Sequence, residues 1–171
     1  MMGRLIVTAD VHGSLSTWRA VRALVKKDDT LVVAGDLFDT RYGRSGPDFK
    51  PLTIKHEIAS LGTRFCYVYG NCDVPAFFPG YTYELEFSHS GTSILLIHGH
   101  APVTDLPDQT TLIIQGHTHI PKLEKTDGFT RLNPGSLTSP RVGAPTYAIV
   151  ENNRATLMDI QTNTPLIRLA L

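Results

Sequence analysis

The chain has 171 residues, 42% of them hydrophobic and 19% charged, which excludes a disordered or collagen-like protein. A single domain spanning residues 1–171 could bury roughly 70% of the surface its unfolded form exposes. Sixteen Lys+Arg balance sixteen Asp+Glu, and this zero net charge argues against a broad basic face for nucleic acid.

In chain order, Arg4–Ala9, Thr30–Ala34 and Phe65–Tyr69 are short apolar runs rich in β-branched or aromatic residues, and are predicted to be buried strands. Leu15–Lys27 separates the first two as a helix, with Leu15, Trp18, Val21 and Val25 on one face and Ser14 as its N-cap. Pro51–Leu61 is a second helix: Pro51 suits the first turn, Ile54, Ile58 and Leu61 share a face, and Gly62 can end it. This β-α-β-α-β order favours a parallel sheet with loops gathered at the C-terminal ends of its strands. Thr40–Lys50, with its glycines, Pro47, Arg41 and Arg44, is expected to be an exposed loop. From Tyr81 onward strands dominate: Tyr81–Phe87, Ser93–Ile97, Thr111–Gln115, Lys122–Lys125, Phe129–Leu132, Tyr147–Val150, Ala155–Ile160 and Leu166–Leu169, with Asp127-Gly128 as a hairpin turn. The longest strongly apolar runs, such as Ile94–Ile97, hold four residues, far short of the roughly 20 of a membrane helix. The stretch before Asp10 is too short for a secretory leader. Cys66 and Cys72 are too few for a disulfide framework, so a cytoplasmic location without membrane association is expected.

Five predicted strands end in polar clusters: Asp10-Val11-His12, Gly35-Asp36-Leu37-Phe38-Asp39, Gly70-Asn71-Cys72-Asp73, His98-Gly99-His100 and Gly116-His117-Thr118-His119. Five of the seven histidines lie in them, and only His56 and His89 fall outside. Carboxylates, an Asn carbonyl and neutral imidazoles are the donor set of Mn²⁺, Fe²⁺, Ni²⁺ or Zn²⁺. Asp-x-His places both side chains on one side of an extended segment. A single such cluster is commonly a turn or a cap, but unpaired carboxylates gathered in one place would repel each other without a cation. Seven candidate ligands, Asp10, His12, Asp36, Asn71, His98, His117 and His119, exceed one ion's needs and suit two, about 3.5–4 Å apart, with one carboxylate between them.

These motifs, in this order, resemble the calcineurin-like metallophosphoesterases. Within them the chain is similar to the small YfcE-like bacterial phosphodiesterases, on its Gly-Asn-Cys-Asp and on Asn-Pro-Gly-Ser at Asn133–Ser136. The resemblance spans about residues 4–160 and implies an α/β fold, a four-layer α/β/β/α sandwich with two mixed sheets. It also implies one metal held by Asp10, His12, Asp36 and His119, another by Asp36, Asn71, His98 and His117, and Asp36 as the bridge. Mn²⁺ is the expected ion, with Ni²⁺, Fe²⁺ or Zn²⁺ as alternatives. Larger relatives have a substrate-contacting His where this chain has Cys72, a weaker donor and a poorer acid near neutrality.

The expected activity is hydrolysis of phosphodiesters by a metal-bridging hydroxide, with Asp36, Asn71, His98 and His100 as the catalytic set. His100 either approaches substrate or bonds to the backbone. Asp39 and Asp73 are read as supports of the ligand shell, Cys66 as core, and Arg41 or Arg44 as able to pair with a phosphate oxygen. The expected partner is a small or nucleotide-like phosphoester; a homo-oligomer is compatible with the sequence, and no nucleic-acid face is evident. The rival reading is a phosphoesterase-like scaffold that binds other proteins, which the loss of a ligand would favour.

Overall fold

The computed structural model describes residues 3–42, 44–62, 64–103 and 105–171. The alternating part of the chain forms β1 (Leu5–Thr8), α1 (Leu15–Arg22), β2 (Thr30–Ala34), α2 (Pro51–Ala59) and β3 (Phe65–Val68). Then come β4 (Glu84–His89), β5 (Thr92–Ile97), β6 (Leu112–Ile114), β7 (Lys122–Lys125) and β8 (Thr130–Asn133). β9 (Thr146–Glu151), β10 (Arg154–Asp159) and β11 (Pro165–Ala170) complete the chain. Two mixed sheets result, ordered β11-β10-β9-β1-β2-β3 and β4-β5-β6-β8-β7. β1, β2 and β3 run parallel in the first, and β5, β6 and β8 in the second.

Period-two alternation divides each inner strand between two cores. Leu5, Val7, Val32, Ala34 and Val68 face the second sheet and meet Ile94, Leu96, Leu112, Ile114 and Leu132 there. Ile6, Leu31, Val33 and Tyr67 point the other way, against Trp18, Val21, Ile54 and Ile58 of the helices. Ser14 caps α1 by accepting the Thr17 N–H at 3.2 Å, and Pro51 opens α2.

α1 is shorter than its apolar face predicts. Beyond Arg22 the N–H groups of Leu24 and Val25 donate to carbonyls three residues back, which tightens the turn. The buried Asp29 then takes the Lys26 N–H at 2.9 Å and the Arg4 guanidinium at 2.7 Å. The strand predicted at Tyr81–Phe87 divides in two. Thr82 bridges to Val68 and its carbonyl accepts the Tyr69 N–H at 2.8 Å, so Tyr81–Tyr83 borders the first sheet. Only from Glu84 does the chain join the second. Over the outer face of that sheet the described residues form no helix. Leu95, Ile97 and Ile113 are instead covered by Val103 and Phe129, because Pro102 and Pro107 interrupt any helical run there. No helix among the described residues is long and apolar enough to cross a membrane.

Candidate metal centre

The chain segments that follow β1, β2, β3, β5 and β6 meet where the two sheets abut. Leaving a strand and turning back at once demands unusual backbone. Asp10, His12, Asp36, Asp39, His117 and His119 all take positive φ, from 49° to 68°, a region uncommon for residues with a Cβ. Such strain concentrates at functional sites and persists only where the surroundings enforce it. Two glycines make room for the carboxylates. A Cβ at Gly70 would collide with the Asp36 carboxylate, and one at Gly116 would stand 2.8 Å from Asp10 Oδ2.

Six of the seven predicted ligands come together directly. His119 Nε2 lies 3.3 Å from Asp10 Oδ1 and 3.3 Å from His12 Nε2. His98 Nε2 lies 3.3 Å from Asp36 Oδ2 and 3.1 Å from Asn71 Oδ1. Asp10 Oδ1 links the halves, 4.0 Å from both His12 Nε2 and His98 Nε2. Asp36 belongs to two convergent groups, one with Asp10 and His98 and one with His12 and Cys72. Asp10, His12, Asp36 and His98 are all buried.

The surrounding hydrogen bonds orient these donors. Nδ1–H of His12 donates to Asp39 Oδ2 at 3.0 Å, that of His98 to the Ala34 carbonyl at 2.8 Å, and that of His119 to the Ser139 carbonyl at 2.8 Å. Each ring therefore turns its Nε2 lone pair inward. Asp39 also pairs with Arg44. Asp73 does not reach the cluster. Its carboxylate accepts the N–H groups of Leu37, Phe38, Asp39 and Gly70 and the Tyr67 hydroxyl, at 2.6–3.3 Å. It thereby shapes the loop that carries Asp36. Burial, then the Asp73 charge, push the Tyr67 phenol well above its usual range, so it remains a donor.

Sequence reasoning attached no role to several supports. Asn133 donates to the Gly116 carbonyl at 2.7 Å and to Thr118 Oγ1 at 3.0 Å, which braces the turn bearing His117 and His119. Ser136 donates to the Asp10 carbonyl at 2.9 Å. The Asn-Pro-Gly-Ser stretch was the available signal, whereas the Ala34 and Ser139 carbonyls leave none.

His117 stands beside the cluster: its N–H donates to Asp10 Oδ2 at 3.0 Å and its ring centroid is 5.2 Å from that of His98. It belongs to none of the convergent ligand groups found among the described residues. Burial, then the neighbouring His98 charge, lower its pKa. His100 is exposed, its ring 5.4 Å from that of His98. The half-buried Cys72 donates its backbone N–H to Asp36 Oδ1 at 2.8 Å. Burial and the Asp36 carboxylate push its thiol far up in pKa.

A divalent cation fits this donor set. Ligand atoms about 2.1 Å from one ion stand roughly 3.0–3.4 Å apart at right or tetrahedral angles, the spacing of the His119 and His98 contacts above. The inward lone pairs of His12 and His119 would repel each other with nothing between them. Asp10 Oδ1 is buried without a hydrogen bond among the described residues, a costly arrangement that a cation relieves. Burial opposes ionisation of both Asp36 and His98, yet a proton on His98 Nε2, in place of its inward lone pair, hydrogen-bonds Asp36 and brings an opposite charge to it. That pairing holds the Asp36 carboxyl far below its usual range and raises the His98 pKa.

Comparison with known proteins gives the family and the fold relatives of the chain. The profile of a family described as calcineurin-like phosphoesterase superfamily domain matches residues 3–155. The chain is 25% identical to phosphodiesterase YfcE of Escherichia coli K12 over an alignment of 186 positions covering 99% of both chains. It is 30% identical to a "probable metallophosphoesterase" of Mycoplasma pneumoniae over 180 positions, covering 96% of this chain and 99% of that protein. Among solved structures, YfcE from E. coli superposes with a TM-score of 0.83 at 24% identity, over 98% of both chains. Vacuolar protein sorting 29 from Cryptosporidium parvum gives 0.66 at 16% identity, over 99% of this chain and 98% of that one.

Proposed function

The chain belongs to the calcineurin-like phosphoesterase superfamily, and we propose that it is a dimetal phosphodiesterase. The observation that carries this reading is the convergence of Asp10, His12, Asp36, Asn71, His98 and His119 donor atoms from two sheets at spacings of 3.1–4.0 Å. Asp10, His12, Asp36 and His119 would hold one ion. Asp36, Asn71, His98 and His117 would hold the other, with Mn²⁺ first among candidates. Bound there, the ions supply Lewis acidity toward phosphoryl oxygens and a nucleophile competent near neutral pH.

The chain's own residues do the positioning. Asp39, braced by Arg44, fixes the His12 ring, the Ala34 carbonyl fixes His98, and the Ser139 carbonyl fixes His119. Asn71 and His98 face the cleft side of the cluster, next to exposed His100. Cys72 stays a neutral thiol and gives the departing oxygen little protonic help, where a positioned acid contributes about 10²–10⁴-fold. Good leaving groups are therefore favoured, and a singly charged diester demands less neutralisation than a dianionic monoester. The scaffold reading would need a vacated ligand position, and all seven hold a donor side chain.

Elemental analysis of protein loaded with Mn²⁺ and freed of excess should approach two ions per chain. The same preparation should hydrolyse bis(p-nitrophenyl) phosphate with a higher kcat/KM than glycerol 2-phosphate. A ratio of one ion or fewer with an intact fold would remove the dimetal reading. Equal rates on the two esters would remove the diesterase assignment.

A further inference from the structure

Beside Asn71 opens a cavity of about 360 Å³ lined by Arg41, Tyr42, Gly70, Asn71, Tyr83 and His100. A smaller one of about 150 Å³ shares Tyr83 and His100 and reaches Glu84 and Val103. Resting on the phosphodiesterase reading above, we propose that this cleft is a subsite for a planar aromatic ester group of the substrate. Tyr83 and His100 offer the stacking faces, and Arg41 offers the cation for a non-bridging phosphate oxygen.

Three features support the assignment. Tyr83 is 48% exposed but its ring rests on a buried neighbour. It packs 5.4 Å from the buried Tyr69, whose hydroxyl donates to the Phe78 carbonyl at 2.8 Å. The His100 ring lies 6.3 Å from Tyr83, tilted 58° to it, and both residues line the two cavities. Tyr42, 66% exposed, lines the same cavity. Preorganised aromatic faces around an open cleft suit a flat π-system, which stacks with little entropy loss.

Charge sets the direction in which the substrate lies. Arg41 lines the wall next to Asn71, and its backbone N–H donates to the Cys72 carbonyl at 2.9 Å, so its Cα is tied to the ligand loop. A guanidinium there suits the phosphate. Glu84 lines the smaller cavity beyond Tyr83 and His100, where its carboxylate disfavours a second anion. That charge favours an uncharged group in the cleft, and the aromatic lining of Tyr42, Tyr83 and His100 favours a planar one, a simple aryl ring or a nucleobase.

The test measures binding of four phosphate compounds to Mn²⁺-loaded protein by calorimetry: phenyl phosphate, thymidine 5′-phosphate, ethyl phosphate and inorganic phosphate. Stacking of one ring predicts that the phenyl and thymidine compounds bind about tenfold or more tighter than the other two. Tyr83→Ala should abolish that advantage while leaving inorganic phosphate affinity in place, and Tyr83→Phe should keep it. Arg41→Gln should weaken all four by a similar factor. Thymidine phosphate outbinding phenyl phosphate assigns a nucleoside ester; the reverse assigns a simple aryl ester. Equal affinities for phenyl and ethyl phosphate, or a Tyr83→Ala loss shared by all four compounds, would overturn the subsite. Phosphate binding indifferent to removal of the metal by chelation would instead overturn the dimetal reading, and the subsite with it.

Discussion

Asp36 and Cys72 touch one another yet should respond very differently to substitution. Asp36 Oδ1 accepts the Cys72 N–H at 2.8 Å while Oδ2 faces His98 Nε2 at 3.3 Å, and as the proposed bridge its charge would serve both ion positions. Asp36→Asn preserves shape and removes that charge. Bound metal should drop below two ions per chain and kcat/KM for an aryl diester should fall by at least about 10²-fold, the scale of losing a transition-state charge partner. Cys72→Ser keeps a neutral donor in the same place and should leave metal content at two and cost less than about tenfold, well below the contribution of a positioned acid. Metal analysis and kinetics on both variants make the comparison; equal damage would mean that the thiol has a larger part than its neutral state allows.

At the scale of elements, Glu57 ties the two helices together by accepting from Trp18 and Arg19 of α1. Trp18 of α1 is fully buried, and its indole N–H donates to Glu57 Oε2 of α2 at 2.8 Å. Glu57 Oε1 in turn accepts from Arg19 at 2.7 Å. Hydrogen bonds from Arg19 and, against a small burial effect, from Trp18 lower the Glu57 pKa, so it stays an acceptor at neutral pH. Trp18→Ala removes the largest buried side chain of the helix–sheet core and should cost about 3–5 kcal/mol. Trp18→Phe, which keeps most of the ring but not the donor, should cost about 1–3 kcal/mol. Urea unfolding midpoints read both, and a Phe variant as stable as the parent would show that the bond to Glu57 contributes nothing net.

For the whole molecule, the proposed centre spans the seam between the sheets: Asp10, Asp36 and Asn71 follow strands of one, His98 and His117 strands of the other. A cation held there cross-links layers otherwise joined by apolar contacts such as Val7, Ala34, Ile94 and Ile114. Ligand that binds only the folded state at a hundred times its Kd adds about 2.7 kcal/mol. Near 170 residues each kcal/mol shifts Tm by about 2–4 °C. Mn²⁺ should therefore raise Tm by roughly 5–10 °C and a chelator should reverse it, with a smaller response in Asp36→Asn. Thermal scans with and without metal decide this, and a Tm indifferent to Mn²⁺ would contradict a bound ion at the seam.

How much of this could be read in advance depended on whether a signal was local. Strand runs, the Ser14 cap, the Pro51 start and the Asp127-Gly128 turn are short-range chemistry, and those elements form where the sequence places them. The strand-end Asp, Asn and His clusters were equally visible, because each motif lies within five residues of chain. Tertiary structure alone decided which partners those groups meet. The contacts of His119 with Asp10 and of His98 with Asn71 join residues 109 and 27 positions apart in the chain. The inward tautomers depend on backbone carbonyls of Ala34 and Ser139, which every residue possesses and no sequence pattern marks. The early end of α1 goes with Asp29, which takes the nearby Lys26 N–H while Arg4 of the distant first strand segment holds its carboxylate. The division at Thr82 goes with its carbonyl accepting the Tyr69 N–H. Local sequence determines which residues gather at strand ends; the packing of two sheets determines which of their atoms converge, since distance and direction belong to the folded chain.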